Sequence, residues 1–309
     1  MKIVFLDAST VGATSLGPIA ELGELVCYPT STPAEVLDRV ADAEIIITNK
    51  VVIDEAVIAA APRLRLICES ATGVNNIDLA AAQRHGVPVR NVAGYSTDAV
   101  VQLTFAMILD MVCRTGEHSC WIKDGSYSAS PIFTNPWSPF MELAGKTIGI
   151  VGMGTIGHKV AEVACAFGMN VIYFSTSGTS HCTDYPSVSM DELLASSDII
   201  SVHAPMNERT RGLIGAAEIA KMKPTAYLVN IGRGGIVDEQ ALADAISSES
   251  IAGAALDVFV KEPLPADNPL LHTLHPERLT LTPHIGWASR EALDRLIQGV
   301  ADNIKAEIC

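Results

Sequence analysis

Short runs of Ile, Val and Leu alternate with helical patterns along the whole chain, and this alternation is the strongest constraint on the fold. In the first hundred residues the runs lie at 2–6, 24–28, 44–48, 66–69 and 87–89. Strands that are apolar throughout, rather than at every second position, are buried on both faces, as in a parallel sheet covered by helices. Between two of the runs, Thr32-Pro33-Ala34-Glu35 predicts a helix start, because it combines a capping box with proline at the first helical position.

A second series of runs follows a long helical pattern. The pattern extends from Thr97 to Lys123, and a loop rich in Ser, Pro and Trp occupies 125–139. Six further runs lie at 147–151, 170–174, 199–202, 226–230, 253–258 and 279–281, before a last helix at 289–308. Six strands suit a doubly wound dinucleotide domain. We therefore predict an α/β protein with two Rossmann-like doubly wound parallel-sheet domains, one of residues 1–97 plus 287–309 and an inserted one of residues 98–286.

Charge and composition restrict the partners. The 309 residues include 35 Asp and Glu against 21 Lys and Arg, a net charge of -14, which suits neither nucleic acid nor an anionic membrane surface. We expect a small-molecule partner, with no nucleic acid and no membrane. The apolar run at the N-terminus is too short for a signal peptide, so we expect a cytoplasmic protein. The seven cysteines form no CxxC pair, so we predict no metal site.

A glycine-rich turn carries the first functional signal. Gly152, Gly154 and Gly157 form a G-x-G-x-x-G directly after an apolar run and at the start of an amphipathic pattern. In a dinucleotide site the first glycine permits a tight turn, the second lets the backbone approach the pyrophosphate, and the third lets helix and strand pack closely. The amides at the helix start would bind the phosphates. The context predicts a nicotinamide dinucleotide site.

The residues after the second strand of this series leave the choice of dinucleotide open. An NAD site has an acidic residue about 20 positions after the glycines, where it binds the ribose 2′-hydroxyl. Here Ser175, Thr176 and Ser177 occupy that place, and their hydroxyls could bind a 2′-phosphate. The next basic residue along the chain is Arg209, so the arginine usual in NADP sites is missing locally. Both NAD and NADP remain candidates.

Three further segments follow predicted strands, where an open α/β sheet binds ligands. They are Ile231-Gly232-Arg233-Gly234-Gly235, Leu256-Asp257-Val258 with Glu262-Pro263, and Pro283-His284-Ile285-Gly286. With the glycine motif, and in this order, they resemble the D-isomer specific 2-hydroxyacid dehydrogenase family. The segment 71–78 and the segment 94–97 are also similar to family segments, so the resemblance spans essentially the whole chain. Gln102 and the Pro-His-Ile-Gly-Trp-Ala sequence are most similar to the glycerate dehydrogenase, or hydroxypyruvate reductase, branch.

The resemblance implies roles that the chemistry of keto-acid reduction requires. His284 would donate the proton, since an ordinary histidine exchanges its proton near neutral pH, and Glu262 would favour its charged form. Arg233 would bind the substrate carboxylate and polarise the keto oxygen. The amides at Gly73 and Val74 would complete substrate binding together with Arg233 and His284, and Asp257 would face the nicotinamide carboxamide. The cofactor residues implied are Gly152, Gly154, Thr155, Ile156, Gly157, Ser175, Thr176, Ser177, His203, Ala204, Pro205, Thr210, Ile231, Gly232, Arg233, Asp257, His284 and Gly286.

The resemblance also implies a fold and an activity. It assigns 1–97 plus 287–309 to a flavodoxin-like substrate domain and 98–286 to the NAD(P)-binding domain. The expected reaction is reversible reduction of a short 2-keto acid, hydroxypyruvate or glyoxylate first, to the D-2-hydroxy acid with NAD(P)H. The region of the long helix from Thr97 would form a homodimer interface, with burial inside one chain as the alternative.

Two other functions are compatible with the same motifs. Phosphite and formate dehydrogenases share the architecture, but formate dehydrogenases lack a glutamate at the position of Glu262. Corepressor-like sensors of the family bind the dinucleotide without turnover, and they can retain the three catalytic residues. The short termini count against a sensor, because they offer no added segment for a partner.

Overall fold

All strand pairings in the described part of the chain are parallel, as the unbroken apolar runs predict. The computed structural model describes residues 1–180 and 182–308. It has two units, one of Met1–Ser96 with the C-terminal residues from Trp287, and one of Thr97–Gly286. Each unit contains a parallel sheet with helices, so the predicted α/β fold class is confirmed.

The first unit has a five-stranded sheet in the order β2-β1-β3-β4-β5, which is the flavodoxin-like order. Its strands are β1 (Lys2–Phe5), β2 (Glu24–Cys27), β3 (Ile45–Thr48), β4 (Leu66–Glu69) and β5 (Val89–Arg90). Its helices are α1 (Gly17–Ala20), α2 (Pro33–Val40), α3 (Glu55–Ala60), α4 (Leu79–Arg84) and the C-terminal α11 (Arg290–Ile308), with a 3₁₀ helix at Ala8–Val11. Helix α11 packs against α1 and β4.

The capping signal in the first unit is borne out by the hydrogen bonds at the start of α2. The Glu35 carboxylate accepts from the Thr32 amide at 2.8 Å and from the Thr32 hydroxyl at 2.7 Å. These bonds lower the pKa of Glu35 and satisfy an amide that the helix geometry leaves without a partner.

Glu69, the last residue of β4, is fully buried, although its side chain carries a carboxyl group. Its Oε2 accepts from Asn76 Nδ2 at 3.0 Å, while its Oε1 is buried without a hydrogen-bond partner among the described residues. Burial raises the pKa of Glu69 to about 8. Asn76 also donates to the Val51 carbonyl, at 3.1 Å, so this acid is part of what holds the 71–78 loop against the sheet.

The second unit has a six-stranded sheet in the order β11-β10-β9-β8-β6-β7. Its strands are β6 (Thr147–Val151), β7 (Asn170–Phe174), β8 (Ile199–Val202), β9 (Tyr227–Asn230), β10 (Gly253–Leu256) and β11 (Leu279–Leu281). Its helices are α5 (Thr97–Cys113), α6 (Thr115–Lys123), α7 (Thr155–Ala166), α8 (Met190–Ser196), α9 (Ala216–Ile219) and α10 (Glu239–Ser247), with 3₁₀ helices at Pro269–His272 and Pro276–Arg278.

One strand of the usual dinucleotide-binding order is reduced to a single bridge. The usual order 3-2-1-4-5-6 has a third strand beside the second. Here Ser187 forms a parallel bridge with Tyr173 of β7, and the amide of Val188 donates to the Tyr173 carbonyl at 2.9 Å. Sheet pairing therefore continues past β7 for one residue pair. The strands β7, β6, β8, β9 and β10 keep the usual order 2-1-4-5-6, and β11 is added beyond β10.

The long helix predicted from Thr97 to Lys123 is wrong as one continuous helix. Arg114 has a φ of 52°, in the left-handed region, and separates α5 from α6 with a bend of 57°. Its guanidinium pairs with Glu117, and the hydroxyl of Thr115 donates to Asp110 Oδ1 at 3.3 Å. These side-chain contacts stabilise the chain at the break between α5 and α6. Gly116, next to the break, is a poor helix former and does not favour a continuous helix.

Helix α5 is buried inside one chain. Val100, Val101, Phe105 and Ile108 lie in a core with β6 and α7, so interior packing accounts for the apolar faces of this helix. In the described residues no single helix is long and apolar enough to cross a membrane. Among the described helices, α5 and α6 reach that length and apolar character only when they are taken together, as a bent pair.

We predict that Glu69→Gln makes stability less dependent on pH. The folded state keeps the Glu69 proton up to about pH 8, whereas the unfolded chain loses it near its ordinary pKa of 4.5. Stability should therefore fall as pH rises through this window, by up to about 1.4 kcal/mol per pH unit, and the glutamine variant should lack that loss. The measurement is urea unfolding from pH 4.5 to 8, with Glu21→Gln at an exposed position as control. Parallel curves for wild type and Glu69→Gln would contradict the prediction.

Candidate functional site

The glycine-rich turn lies between β6 and α7, and its three glycines face different surroundings. Gly152 has a φ of 95°, and a Cβ there would lie 3.0 Å from the Ala204 backbone. A Cβ on Gly157 would lie 2.3 Å from the Gly152 carbonyl oxygen. A Cβ on Gly154 would meet nothing within 4 Å. Two glycines are therefore required by packing, and the third leaves the space that a pyrophosphate needs.

The strand order places this turn at the switch point of the sheet. Strand β6 has β7 on one side and β8 on the other, and such a reversal opens a crevice at the carboxyl ends of the strands. Gly154 caps α7, so the first amides of this helix have no intrahelical partner. A cavity of about 340 Å³ lies there, lined by Met153, Gly154, Thr155, His158, Cys182, Thr183 and Asp184. The residues present fit a dinucleotide pyrophosphate.

The loop after β7 carries the predicted ribose contacts and has a cation beside it. Ser175 and Ser177 Oγ both donate to the Thr179 carbonyl, at 2.7 and 2.9 Å. Arg209 Nη1 donates to the Ser177 carbonyl oxygen at 2.7 Å. No arginine is local to this loop in the sequence, but the turn after β8 brings Arg209 back to it across 32 residues of sequence.

The turn after β9 holds Arg233 through its own backbone. Asn230 Oδ1 accepts from the Gly232 amide at 3.1 Å, and Asn230 Nδ2 donates to the Arg233 carbonyl at 3.0 Å. Asn230 is almost fully buried, so this clamp is well shielded from water. The Arg233 guanidinium donates to the Gly232 carbonyl at 2.8 Å. A Cβ on Gly234 would lie 1.9 Å from the Phe259 carbonyl oxygen, so this turn packs directly on the next one.

His284 and Glu262 form a hydrogen-bonded pair. His284 Nδ1 lies 2.7 Å from Glu262 Oε2, and the other carboxylate oxygen of Glu262 accepts from the Phe259 amide at 2.9 Å. About a fifth of the His284 side chain is exposed, so the pair is reachable from solvent. His284 has a φ of 54°, which is uncommon outside glycine and marks a constrained turn. With Nδ1 facing the carboxylate, Nε2 is the ring nitrogen available to a substrate.

Asp257 holds the loop that carries His284. Its Oδ1 accepts from the Thr282 hydroxyl at 2.6 Å and the Ile285 amide at 2.8 Å, and its Oδ2 accepts from the Gly286 amide at 2.8 Å. Burial raises the pKa of Asp257, and these bonds act in the opposite direction. The carboxylate is thus committed to the loop on both sides of His284, whereas its predicted contact with the nicotinamide carboxamide stays a prediction.

His203 lies at the end of β8, on the cofactor side of the sheet. Its Nε2 is 2.8 Å from the Ser201 hydroxyl, and its Nδ1 is buried without a partner among the described residues. Burial lowers the pKa of His203 to about 4, so the ring is neutral at pH 7. A neutral histidine is a poor proton donor, and the cofactor-lining role of His203 stays a prediction.

The remaining predicted cofactor residues lie on the same edge of the second unit. Thr210 is fully buried, and its hydroxyl donates to the Pro205 carbonyl at 2.6 Å and accepts from the Asn207 amide at 2.9 Å. Ala204 contacts Gly152 and Gly232, while Ile231 contacts Gly286. Thr155 and Ile156 are in the first turn of α7, and Thr176 is in the loop after β7.

Gly73 and Val74 belong to the first unit, in the 71–78 loop after β4. Neither amide donates a hydrogen bond to a described residue, and the Val74 carbonyl accepts from Ile77 at 3.1 Å. The loop is anchored by Asn76, as described above, and by Thr72, whose hydroxyl donates to the Val92 carbonyl at 3.2 Å. Two amides without a partner among the described residues are compatible with binding an anion, and this role stays a prediction.

A second cavity, of about 780 Å³, lies elsewhere in the second unit. It is lined by residues that precede or begin the strands, including Thr225, Tyr227, Ala252 and Thr280. Ligands of open parallel sheets bind at the carboxyl ends of the strands, so the smaller cavity beside Gly154 is the better candidate despite its size.

The smaller cavity also contains a group of possible metal ligands, although the sequence predicts no metal. Ligand atoms of His158, Cys182 and Asp184 lie within 4.8 Å of one another. Both ring nitrogens of His158 already face carboxylates, with Nε2 3.1 Å from Asp184 and Nδ1 3.3 Å from Glu162. The contacts of the His158 ring with these two carboxylates account for the arrangement.

Sequence reasoning missed the residues that position the site. Asn230 and Thr282 each lie two or three positions from a predicted catalytic residue, at the end of a strand, where a short polar side chain can bond to a turn. That position was a usable signal. Arg209 had no such signal, because its partner is remote in sequence.

Comparisons with known proteins agree with this arrangement. A family model described as D-isomer specific 2-hydroxyacid dehydrogenase, NAD binding domain, matches residues 105–286. The hydroxypyruvate reductase of Blautia hydrogenotrophica is 34% identical over 312 residues, covering 99% of this chain and 96% of the relative. The glyoxylate reductase of Korarchaeum cryptofilum is 36% identical over 304 residues, covering 94% and 88%.

A solved structure with NADPH is similar over the full length. It is the acyclic imino acid reductase Bsp5 in complex with NADPH and D-Arg, with a TM-score of 0.87 and 29% identity. The match covers 100% of this chain and 97% of that one. Together with the family model, this supports a nicotinamide dinucleotide as the cofactor.

We predict that alanine separates the two roles of the glycines. Gly154→Ala adds a Cβ in open space, so the thermal midpoint should change little, while dinucleotide affinity should fall about 10-fold or more because the methyl group occupies the pyrophosphate path. Gly157→Ala forces a contact with the Gly152 carbonyl and should destabilise the fold by about 1–3 kcal/mol. Thermal unfolding and calorimetric titration with dinucleotide test both. Equal loss of stability in the two variants would sink this division.

Proposed function

The chain belongs to the D-isomer specific 2-hydroxyacid dehydrogenase family, and we propose that it reduces a short 2-keto acid to the D-2-hydroxy acid. Hydroxypyruvate and glyoxylate are the first candidates, because relatives with those reductase names align over nearly the whole chain. The observation that carries the proposal is the His284–Glu262 pair, at 2.7 Å, on the edge of the sheet where the glycine-rich turn lies.

The reaction needs one hydride, one proton and a site for a carboxylate. A bound reduced nicotinamide dinucleotide would supply the hydride. His284 Nε2 would give the keto oxygen its proton as the carbonyl is reduced to the alcohol. Glu262 stabilises the protonated ring through Nδ1 before transfer, and the ring then recovers a proton from solvent. In the oxidative direction the same nitrogen accepts the proton.

Arg233 would bind the substrate. Its guanidinium presents a planar fork that matches a carboxylate, and it is permanently charged. The Asn230 clamp and the packing of Gly234 on Phe259 restrict its turn, so less entropy is lost when substrate binds. The Gly73 and Val74 amides remain candidates for a second anion contact.

The other two functions are less well supported. Glu262 is bonded to His284, whereas formate dehydrogenases lack a glutamate at that position, so a formate-type reaction is disfavoured. A dinucleotide sensor would not need His284 to be oriented. Here Asp257 accepts three hydrogen bonds from the loop that carries His284 and so fixes its position, which favours an enzyme.

Exposed aromatic residues support assembly as a homodimer. Phe133 is 89% exposed, Trp137 76%, Phe140 61% and Ile122 57%, all within 19 consecutive residues of the second unit. Exposed large apolar side chains this close in sequence are typical of a segment that contacts a partner. We assign the dimer contact to this segment, 122–140, rather than to α5, whose apolar side chains are already buried.

We predict that His284→Ala lowers kcat by about 10²- to 10⁴-fold with hydroxypyruvate or glyoxylate, because the proton donor is lost. His272→Ala is the matched control, since His272 is exposed and bonds only to the Ala266 carbonyl in the described structure. The assay follows nicotinamide absorbance with each keto acid. Near-normal turnover by His284→Ala would rule out its role. Dinucleotide binding by the wild type without reduction of any keto acid would favour the sensor.

We predict that the double variant Phe133→Ser with Trp137→Ser is monomeric, because it removes the two most exposed aromatic side chains of the segment 122–140. Light scattering after size exclusion measures the mass. Leu274→Ser, at a position 75% exposed outside the segment, should leave the dimer intact. A wild-type monomer, or a dimer that survives the double substitution, would contradict the proposed interface.

A further inference from the structure

Arg209 lies against the loop that follows β7, where an adenine-ribose would bind. The β7 strand ends at Phe174, whose carbonyl accepts from the Gly152 amide at 3.0 Å, so Ser175 lies beside the glycine-rich turn. Arg209 Nη1 donates to the Ser177 carbonyl at 2.7 Å, and a Cβ on Gly178 would lie 3.4 Å from the same nitrogen. The guanidinium is therefore in direct contact with the ribose-recognition loop.

We propose that Arg209, together with Ser175 and Ser177, binds the 2′-phosphate of NADP(H) and makes this chain selective for the phosphorylated dinucleotide. The inference deepens the proposed function by naming the cofactor of the same site. It rests on three observations: the position of Arg209, the rigidity of the turn that carries it, and the lack of a carboxylate in the loop.

The turn that carries Arg209 is built to hold its position. Asn207 Oδ1 accepts from the Arg209 amide at 2.9 Å, and the Thr210 hydroxyl joins the Asn207 amide to the Pro205 carbonyl. Thr210 is fully buried, so the turn is anchored in the core of the unit. Of the five N–H donors of a guanidinium, one is used by Ser177 within the described structure. The other four N–H groups can donate hydrogen bonds to an anion.

The loop itself presents hydroxyl groups and no acid. Residues 175–180 read Ser-Thr-Ser-Gly-Thr-Ser. A carboxylate at its first position would accept from a ribose 2′-hydroxyl and repel a 2′-phosphate, whereas a serine does neither. Ser175 Oγ and Ser177 Oγ are 3.1 Å apart and both turn toward the Thr179 carbonyl, so two hydroxyls lie together beside the cation. Hydroxyls beside a guanidinium match the needs of a phosphate.

The chain offers a control of the same charge. Arg211 lies two residues away, is exposed like Arg209, and in the described structure its side chain makes no hydrogen bond. Arg211→Gln removes the same charge from the same turn without touching the ribose loop. It separates a specific contact from a general loss of positive potential.

The test measures binding without any keto acid. The full-length protein is titrated calorimetrically with NADP⁺, NAD⁺, adenosine 2′,5′-bisphosphate and 5′-AMP. We expect the wild type to bind NADP⁺ at least about 10-fold more tightly than NAD⁺, with the same order for the two fragments. Arg209→Gln should reduce that ratio about 10-fold or more, Arg209→Lys should retain part of it, and Arg211→Gln should leave it unchanged. Ser175→Asp should reverse the preference.

Several results would overturn the assignment. These are equal affinity of the wild type for both dinucleotides, an unchanged ratio in Arg209→Gln, an equal loss of both dinucleotides in that variant, or the same loss in Arg211→Gln. Thermal midpoints show that each variant is folded. Failure of the proposed reaction is distinguishable, because a selective binder that reduces no keto acid keeps the role of Arg209 and loses the role of His284. A reductase without selectivity does the reverse.

Discussion

Parallel pairing of buried strands is the constraint on which the rest of this structure depends. In a parallel sheet all strands end at the same edge, so residues far apart in sequence must meet there. Strands β6 to β11 place the glycine-rich turn, His203, Arg233, Asp257 and His284 along one edge of the second unit. A chain that built the same side chains on antiparallel hairpins would divide them between two edges.

The turns at that edge are locked together by glycine. Gly152 and Gly232 contact Ala204, Gly234 contacts Phe259, and Gly286 contacts Asp257 and Ile231. Each contact leaves little or no room for a Cβ, so neighbouring turns interlock through their backbones. Such packing restricts the turns that carry Arg233 and His284, which is the preorganisation that the proposed reaction would require.

Burial determines how the ionisable groups of this protein behave. The buried ring of His203 has a low pKa, and the buried carboxyls of Glu69 and Asp257 have raised ones, because low-dielectric surroundings disfavour charge. Asp257 receives three hydrogen bonds in return, while Glu69 Oε1 receives none from the described residues. The first arrangement orients a loop, and the second leaves a buried acid that resists ionisation.

The sequence by itself determined the α/β class, the order of the strands along the chain and the glycine-rich turn. These follow from local periodicity and from residue types at strand ends, which need no knowledge of distant contacts. The roles proposed for Arg233, Glu262 and His284 came with the resemblance to the family. Only the tertiary structure decided the break at Arg114, the reduction of one strand to the Ser187 bridge, the carboxylate contacts of Asp257, and the approach of Arg209 to Ser177. Each depends on a contact between segments remote in sequence, and no local pattern encodes the distance that folding leaves between them.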